Sequence, residues 1–160
     1  MCSSDLVTVL DTRKTTPGLR VFEKYAVSCG GGTNHRFGLY DAVMIKDNHI
    51  KSAGSIFRAV EKVREALGHQ NIIEVETQNL DEVREALDNR VGIIMLDNMP
   101  IDMIRESVKL IDGRAKVEIS GCVTLERLDE ISRTGADFVS VGALTHSAPS
   151  VDISMNIITP

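Results

Sequence analysis

Six short apolar runs rich in β-branched residues alternate along this chain with stretches of helical periodicity, and that alternation limits the fold more than any other feature. The runs cover residues 7–10, 42–45, 72–75, 91–96, 116–119 and 137–141. Between them, Ile56, Ala59, Val60, Val63, Ala66 and Leu67 recur at spacings of three and four, with charged residues on the other face and Gly68 at the end, which predicts a helix over 55–67. The same pattern predicts helices over 80–87, over 101–111 after Pro100, and over 125–131 after a Thr124 cap. The runs are too continuous for exposed hairpins, and the helices between them supply parallel crossovers. A repeated βα unit means an α/β fold, either an open doubly wound sheet or a barrel.

The chain has 160 residues, enough for one domain that buries roughly 70% of its unfolded surface without disulfide or metal staples. No apolar run approaches the ~20 residues of a membrane span, and no signal-peptide pattern is visible. Three cysteines without paired spacing argue against a disulfide framework and a structural zinc site. The expectation is a cytoplasmic protein in a reducing compartment. Residues 1–6 (Met-Cys-Ser-Ser-Asp-Leu) fit poorly with the strand pattern that begins at Val7 and read as a cloning or assembly scar.

The net charge of −5 argues against a nucleic-acid partner, but it is unevenly placed. Residues 1–51 carry seven Lys/Arg against five Asp/Glu, whereas residues 52–160 carry eleven against eighteen. A cationic segment in an acidic chain points to a local anion site.

Polar groups follow every strand run, where barrels and doubly wound sheets both place their sites. Thr12, Arg13 and Lys14 follow the first run, His35 and Arg36 close a Gly30-Gly31-Gly32 loop, and Lys46 follows the second run. So many cations on one rim repel one another unless an anion sits among them, and an arginine fork suits a carboxylate or a phosphate. The glycine loop matches neither a P-loop nor a dinucleotide fingerprint. Glu76 and Asp97 end the third and fourth runs; they read as carboxylates for one Mg²⁺ with waters and substrate phosphates, or as helix caps or ion-pair partners. Ser120, Gly121, Gly142 and His146 close the last two runs as a phosphate grip; Ser120 lacks the elbow motif of a nucleophile.

The stretches Asp11-Thr-Arg-Lys-Thr-Thr-Pro-Gly-Leu-Arg20, Gly30-Gly-Gly-Thr-Asn-His-Arg-Phe-Gly-Leu-Tyr-Asp41, Met44-Ile-Lys-Asp-Asn-His49, Glu74-Val-Glu76, Leu96-Asp-Asn98, Ile119-Ser-Gly121 and Val141-Gly-Ala-Leu-Thr-His-Ser147 together resemble the quinolinate phosphoribosyltransferases, from about Val7 to the C-terminus. The resemblance implies an incomplete, open α/β barrel of about six parallel strands over residues 7–160. It implies a Mg²⁺-dependent transfer in which quinolinate and phosphoribosyl pyrophosphate give nicotinate mononucleotide, pyrophosphate and CO₂, and a homodimeric or larger assembly. By motif position, Thr12, Arg13, His35, Arg36 and Lys46 correspond to the quinolinate site and Lys14 to a bridge toward pyrophosphate. Glu76 and Asp97 correspond to the catalytic, metal-linked acids, and Ser120, Gly121, Gly142 and His146 to phosphate contacts. The family also carries an N-terminal domain and a first barrel helix that nothing ahead of Asp11 matches, so the expectation is an N-terminally shortened barrel domain. A related enzyme acting on another ring acid and a non-catalytic barrel fragment stay open as alternatives.

Overall fold

The computed structural model of the chain describes residues 7–69 and 72–158. Its strands are β1 (Thr8–Leu10), β2 (Val43–Ile45), β3 (Ile73–Thr77), β4 (Ile93–Asp97), β5 (Lys116–Ser120) and β6 (Phe138–Ser140). Its helices are α1 (Arg20–Cys29), α2 (Asp47–Ala53), α3 (Ile56–Leu67), α4 (Leu80–Asp88), α5 (Ile101–Ile111), α6 (Leu125–Ser132) and α7 (Ala143–His146). The reading of residues 1–6 as a scar falls outside the described residues.

All strand pairs are parallel, in the order β1-β6-β5-β4-β3-β2. A doubly wound sheet reverses its order near the middle. Here β2 to β6 follow one another without reversal and β1 joins beyond β6, which is the cyclic order of a barrel opened between β1 and β2. The fold is therefore an open α/β barrel with six strands among the described residues.

The strands sort their side chains by the period of two. One phase, with Ile45, Ile73, Val75, Ile94, Leu96, Val117, Ile119 and Val139, joins the main core together with Val60, Val83, Ile104, Ile111 and Ile131 of the helices. The other phase, with Met44, Glu76, Met95, Glu118, Ser120 and Ser140, faces a cavity on the concave side of the sheet. The hydrophobic core thus lies between sheet and helices, and the barrel interior is left to polar chemistry.

The four helices expected from periodicity are present as α3 to α6. Ser55 and Asn79 cap α3 and α4 through their side chains, whereas Thr124 occupies the cap of α6 without a side-chain bond to the helix backbone. Three helices escape the pattern. The seven-residue α2 and the single turn of α7 are too short for amphipathic periodicity. The ten-residue α1 buries Lys24 and Val27 and leaves Val21, Phe22 and Tyr25 exposed, so its apolar stripe faces away from the core. Among the described residues, no helix is long and apolar enough to cross a membrane.

Candidate active site

All twelve residues singled out from the sequence line one cavity of about 580 Å³ at the carboxyl ends of the strands. Thr12, Arg13 and Lys14 leave β1, His35 and Arg36 lie on the loop after α1, and Lys46 follows β2. Glu76 and Asp97 stand on the neighbouring strands β3 and β4. Ser120 and Gly121 follow at the end of β5, and Gly142 and His146 at α7. β3 runs one residue past Glu76, to Thr77, so Glu76 stands near the carboxyl end of the strand. Its alternation Ile-Glu-Val-Glu-Thr aims Glu74 and Glu76 to the same side.

The cations fall into two kinds. Among the described residues, neither the Arg13 guanidinium nor the Lys14 ammonium has a hydrogen-bonded or ion-paired partner. Arg36 donates to the Ala42 carbonyl and to Met44 Sδ, both at 3.3 Å. Partial burial, followed by the charge of Arg13, holds the Arg36 guanidinium below its ordinary pKa, against Glu74 and Asp41. Lys46 is already engaged, with Nζ 2.6 Å from Glu76 Oε2. Its backbone N–H donates to His49 Nδ1 at 2.9 Å, so His49 orients this loop. The Lys14 carbonyl accepts the Thr145 hydroxyl at 2.8 Å, tying the first loop to the last helix.

Below the cations lies a group that the sequence motifs alone do not reveal. His35 Nε2 is 3.4 Å from Glu74 Oε2 and 3.3 Å from Glu118 Oε2, and the second oxygen of each carboxylate is buried without a partner. Burial lowers the His35 pKa, but hydrogen bonds to Glu118 and Glu74 and their charges outweigh it and raise it to about 9. Burial, then the Glu118 charge, pushes the Glu74 carboxyl up against the pull of His35. An imidazolium between two carboxylates and a neutral imidazole beside one protonated glutamate hold the same number of protons and the same net charge. His35 Nδ1 accepts the Arg36 backbone N–H at 2.7 Å, so Nε2 is the ring nitrogen that faces the two carboxylates and the proton shared among them. The signal for this cluster lies in the alternations Ile-Glu-Val-Glu and Lys-Val-Glu-Ile of β3 and β5, which place carboxylates on the concave face.

The phosphate-side loops are shaped by backbone geometry. Gly121 adopts φ +90° and a Cβ there would overlap the Asn98 side chain; Asn98 itself is left-handed at φ +54°. The Asn98 amide donates to Asp97 Oδ2 at 2.9 Å. At Gly142 a Cβ would come within 2.7 Å of His146 Nε2. These two glycines let Asn98 and His146 close over the ends of β4 and β6.

The family described as quinolinate phosphoribosyl transferase, C-terminal domain, matches residues 2–156. A probable nicotinate-nucleotide pyrophosphorylase (carboxylating) of Bacillus subtilis is 52% identical over 151 residues, 94% of this chain and 52% of the relative. One from Synechocystis is 54% identical over 152 residues, 93% of this chain and 52% of that protein. Among solved structures, NadC from Streptococcus pyogenes superposes with a TM-score of 0.88 at 47% identity, covering 96% of this chain and 54% of the other. The nicotinate-nucleotide pyrophosphorylase of Ehrlichia chaffeensis gives 0.87 at 43% identity, covering 91% and 53%. The chain spans about half the length of the relatives it matches. With the strand order, the concave cavity and the match over nearly all its residues in agreement, the chain belongs to the quinolinate phosphoribosyl transferase family, of which it carries the C-terminal domain.

Proposed function

We propose that this barrel binds quinolinate and phosphoribosyl pyrophosphate and supports transfer of the phosphoribosyl group to the ring nitrogen, with loss of one carboxyl as CO₂, as a step of NAD synthesis. One observation carries the reading: a single cavity sets Arg13, Lys14 and Arg36 against Glu76 and Asp97. A planar dicarboxylate matches the cations, and a sugar pyrophosphate brought in with a divalent cation matches the carboxylates.

In this reading Arg13, Arg36 and Lys46 grip the two carboxylates of quinolinate, each charge-assisted contact contributing on the order of 1.5–3 kcal/mol. His35, with both ring nitrogens engaged inside the protein, forms the floor beneath the ring and carries the Arg36 backbone. The ring nitrogen donates its electron pair to the anomeric carbon as the bond from that carbon to pyrophosphate breaks. Lys14 sits between the two subsites and neutralises charge on the departing oxygens. Holding both substrates in one orientation supplies much of the rate. Loss of the carboxyl beside the quaternised nitrogen leaves an electron pair on the ring carbon, which takes up a proton.

Glu76 and Asp97 suit Mg²⁺, which is bound by one or two carboxylates with waters and substrate phosphates. When bound, the ion would supply positive charge to the pyrophosphate leaving group. Glu76 must then give up Lys46, which frees that cation for quinolinate. A cytoplasmic homodimer belongs to the same reading.

The test is incubation of the chain with quinolinate, phosphoribosyl pyrophosphate and Mg²⁺. Nicotinate mononucleotide and pyrophosphate in equal amounts are the expected products. A chain that neither forms them nor binds either substrate would contradict the proposal.

A further inference from the structure

Behind the cavity wall, and not lining it, two opposite charges are buried together. Lys24 of α1 is 3% exposed, Asp11 at the end of β1 is fully buried, and Lys24 Nζ lies 2.5 Å from Asp11 Oδ1. The Asp11 carboxylate collects two further donors, the Asn34 side-chain amide at 2.6 Å and the His35 backbone N–H at 2.9 Å. Lys24 donates a second bond to the His35 carbonyl at 2.9 Å. One ion pair therefore holds His35 at both of its backbone groups.

This pair sits at the junction of the two cation-bearing stretches. Asp11 directly precedes Thr12-Arg13-Lys14, and His35 directly precedes Arg36. The loop is laid against the edge of β1 by Thr33, whose N–H donates to the Val9 carbonyl at 2.9 Å and whose carbonyl accepts the Asp11 N–H at 3.1 Å. A buried ion pair is a poor device for stability alone, since apolar side chains of similar volume do as well or better. Two apolar side chains, however, cannot hold the backbone N–H and C=O of His35 against the end of β1 and α1.

We infer that Lys24 and Asp11 are positioning residues that fix the loop of His35 and Arg36 relative to Arg13, and so set the affinity of the cavity for a dicarboxylate. The inference rests on the function proposed above for the identity of that ligand. Neither side chain touches the cavity, so both act through the residues that follow Asp11 and His35.

Lys24→Met in this chain tests it, with quinolinate binding and phosphoribosyl pyrophosphate–Mg²⁺ binding measured by calorimetry and amide exchange measured residue by residue. The expected result is at least tenfold weaker quinolinate binding, phosphoribosyl pyrophosphate binding within twofold of wild type, and faster exchange at His35 and Arg36 while the β4 amides keep their protection. Unchanged quinolinate binding, or loss of both ligands together with faster exchange in β4, would overturn the positioning role. Should Lys24→Met not fold, Asn34→Ala removes one exposed partner of Asp11 and is expected to weaken quinolinate binding severalfold; no change there overturns the inference equally. If the wild-type chain binds no quinolinate, the functional reading fails, and exchange at the His35 amide still decides whether Lys24 positions the loop.

Discussion

Lys46 and Glu76 face one another across the adjacent strands β2 and β3, Nζ to Oε2 at 2.6 Å. The resemblance places the lysine in the quinolinate site and the glutamate among the metal-linked acids, and here the two are paired with one another. Pairs with one partner this exposed contribute up to about 1 kcal/mol, so the contact yields readily to a better partner. In the proposed function, binding at one subsite then releases the group needed at the other.

Replacing Glu76 by glutamine frees Lys46 and removes a carboxylate from the metal side. Quinolinate is expected to bind as well as in wild type or up to roughly fivefold tighter, while Mg²⁺-dependent binding of phosphoribosyl pyrophosphate weakens at least tenfold. Calorimetry with each ligand separately measures both; weaker quinolinate binding would contradict the competition.

Arg13 and Arg36 approach the ligand from two different loops, and loss of either removes a charge-assisted contact of about 1.5–3 kcal/mol. Arg13→Ala and Arg36→Ala are each expected to weaken quinolinate binding by roughly ten- to 150-fold with little change in melting temperature. An unchanged dissociation constant removes that residue from the site.

Stability should fall as the pH rises through the His35 transition. The His35 pKa is raised to about 9 above an unfolded value of about 6.5, and Glu74 is shifted up as well. The folded cluster binds more protons than the unfolded chain, so its contribution is complete below the unfolded value and is lost as pH passes 9. Urea titrations between pH 6 and pH 10 should show a loss of roughly 1–3 kcal/mol that His35→Asn flattens. A wild-type profile as flat as the variant's would remove the shared proton.

Gly121 is expected to resist substitution. Its positive φ and the Asn98 side chain leave no room for a Cβ, so Gly121→Ala should cost about 1–2 kcal/mol and lower the melting temperature by roughly 2–8 °C. Asn98 and its bond to Asp97 would move with it, weakening phosphoribosyl pyrophosphate binding more than quinolinate binding.

Much of this site is legible in the sequence because the strand ends carry their chemistry in unbroken motifs: Thr12, Arg13 and Lys14 on one, Asp97 and Asn98 on another. The barrel order is not legible from periodicity alone, since alternating strands and helices suit an open sheet equally; it comes from the resemblance and is visible in β1 pairing with β6. Lys24 is hidden because α1 inverts the usual pattern, burying a lysine and exposing Phe22 and Tyr25. Glu74 and Glu118 are hidden for a related reason. Both lie inside runs whose neighbours are apolar, and a carboxylate within such a run gains meaning only once the sheet curves and one of its faces becomes the cavity wall.

In the proposed function the cationic wall recognises a dicarboxylate. Calorimetric titration of the chain with quinolinate and, separately, with nicotinate, which lacks the second carboxylate, addresses it most directly. Quinolinate is expected to bind at least tenfold more tightly than nicotinate, a preference that Arg13→Ala sharply reduces. Equal affinity for the two ring acids would contradict it.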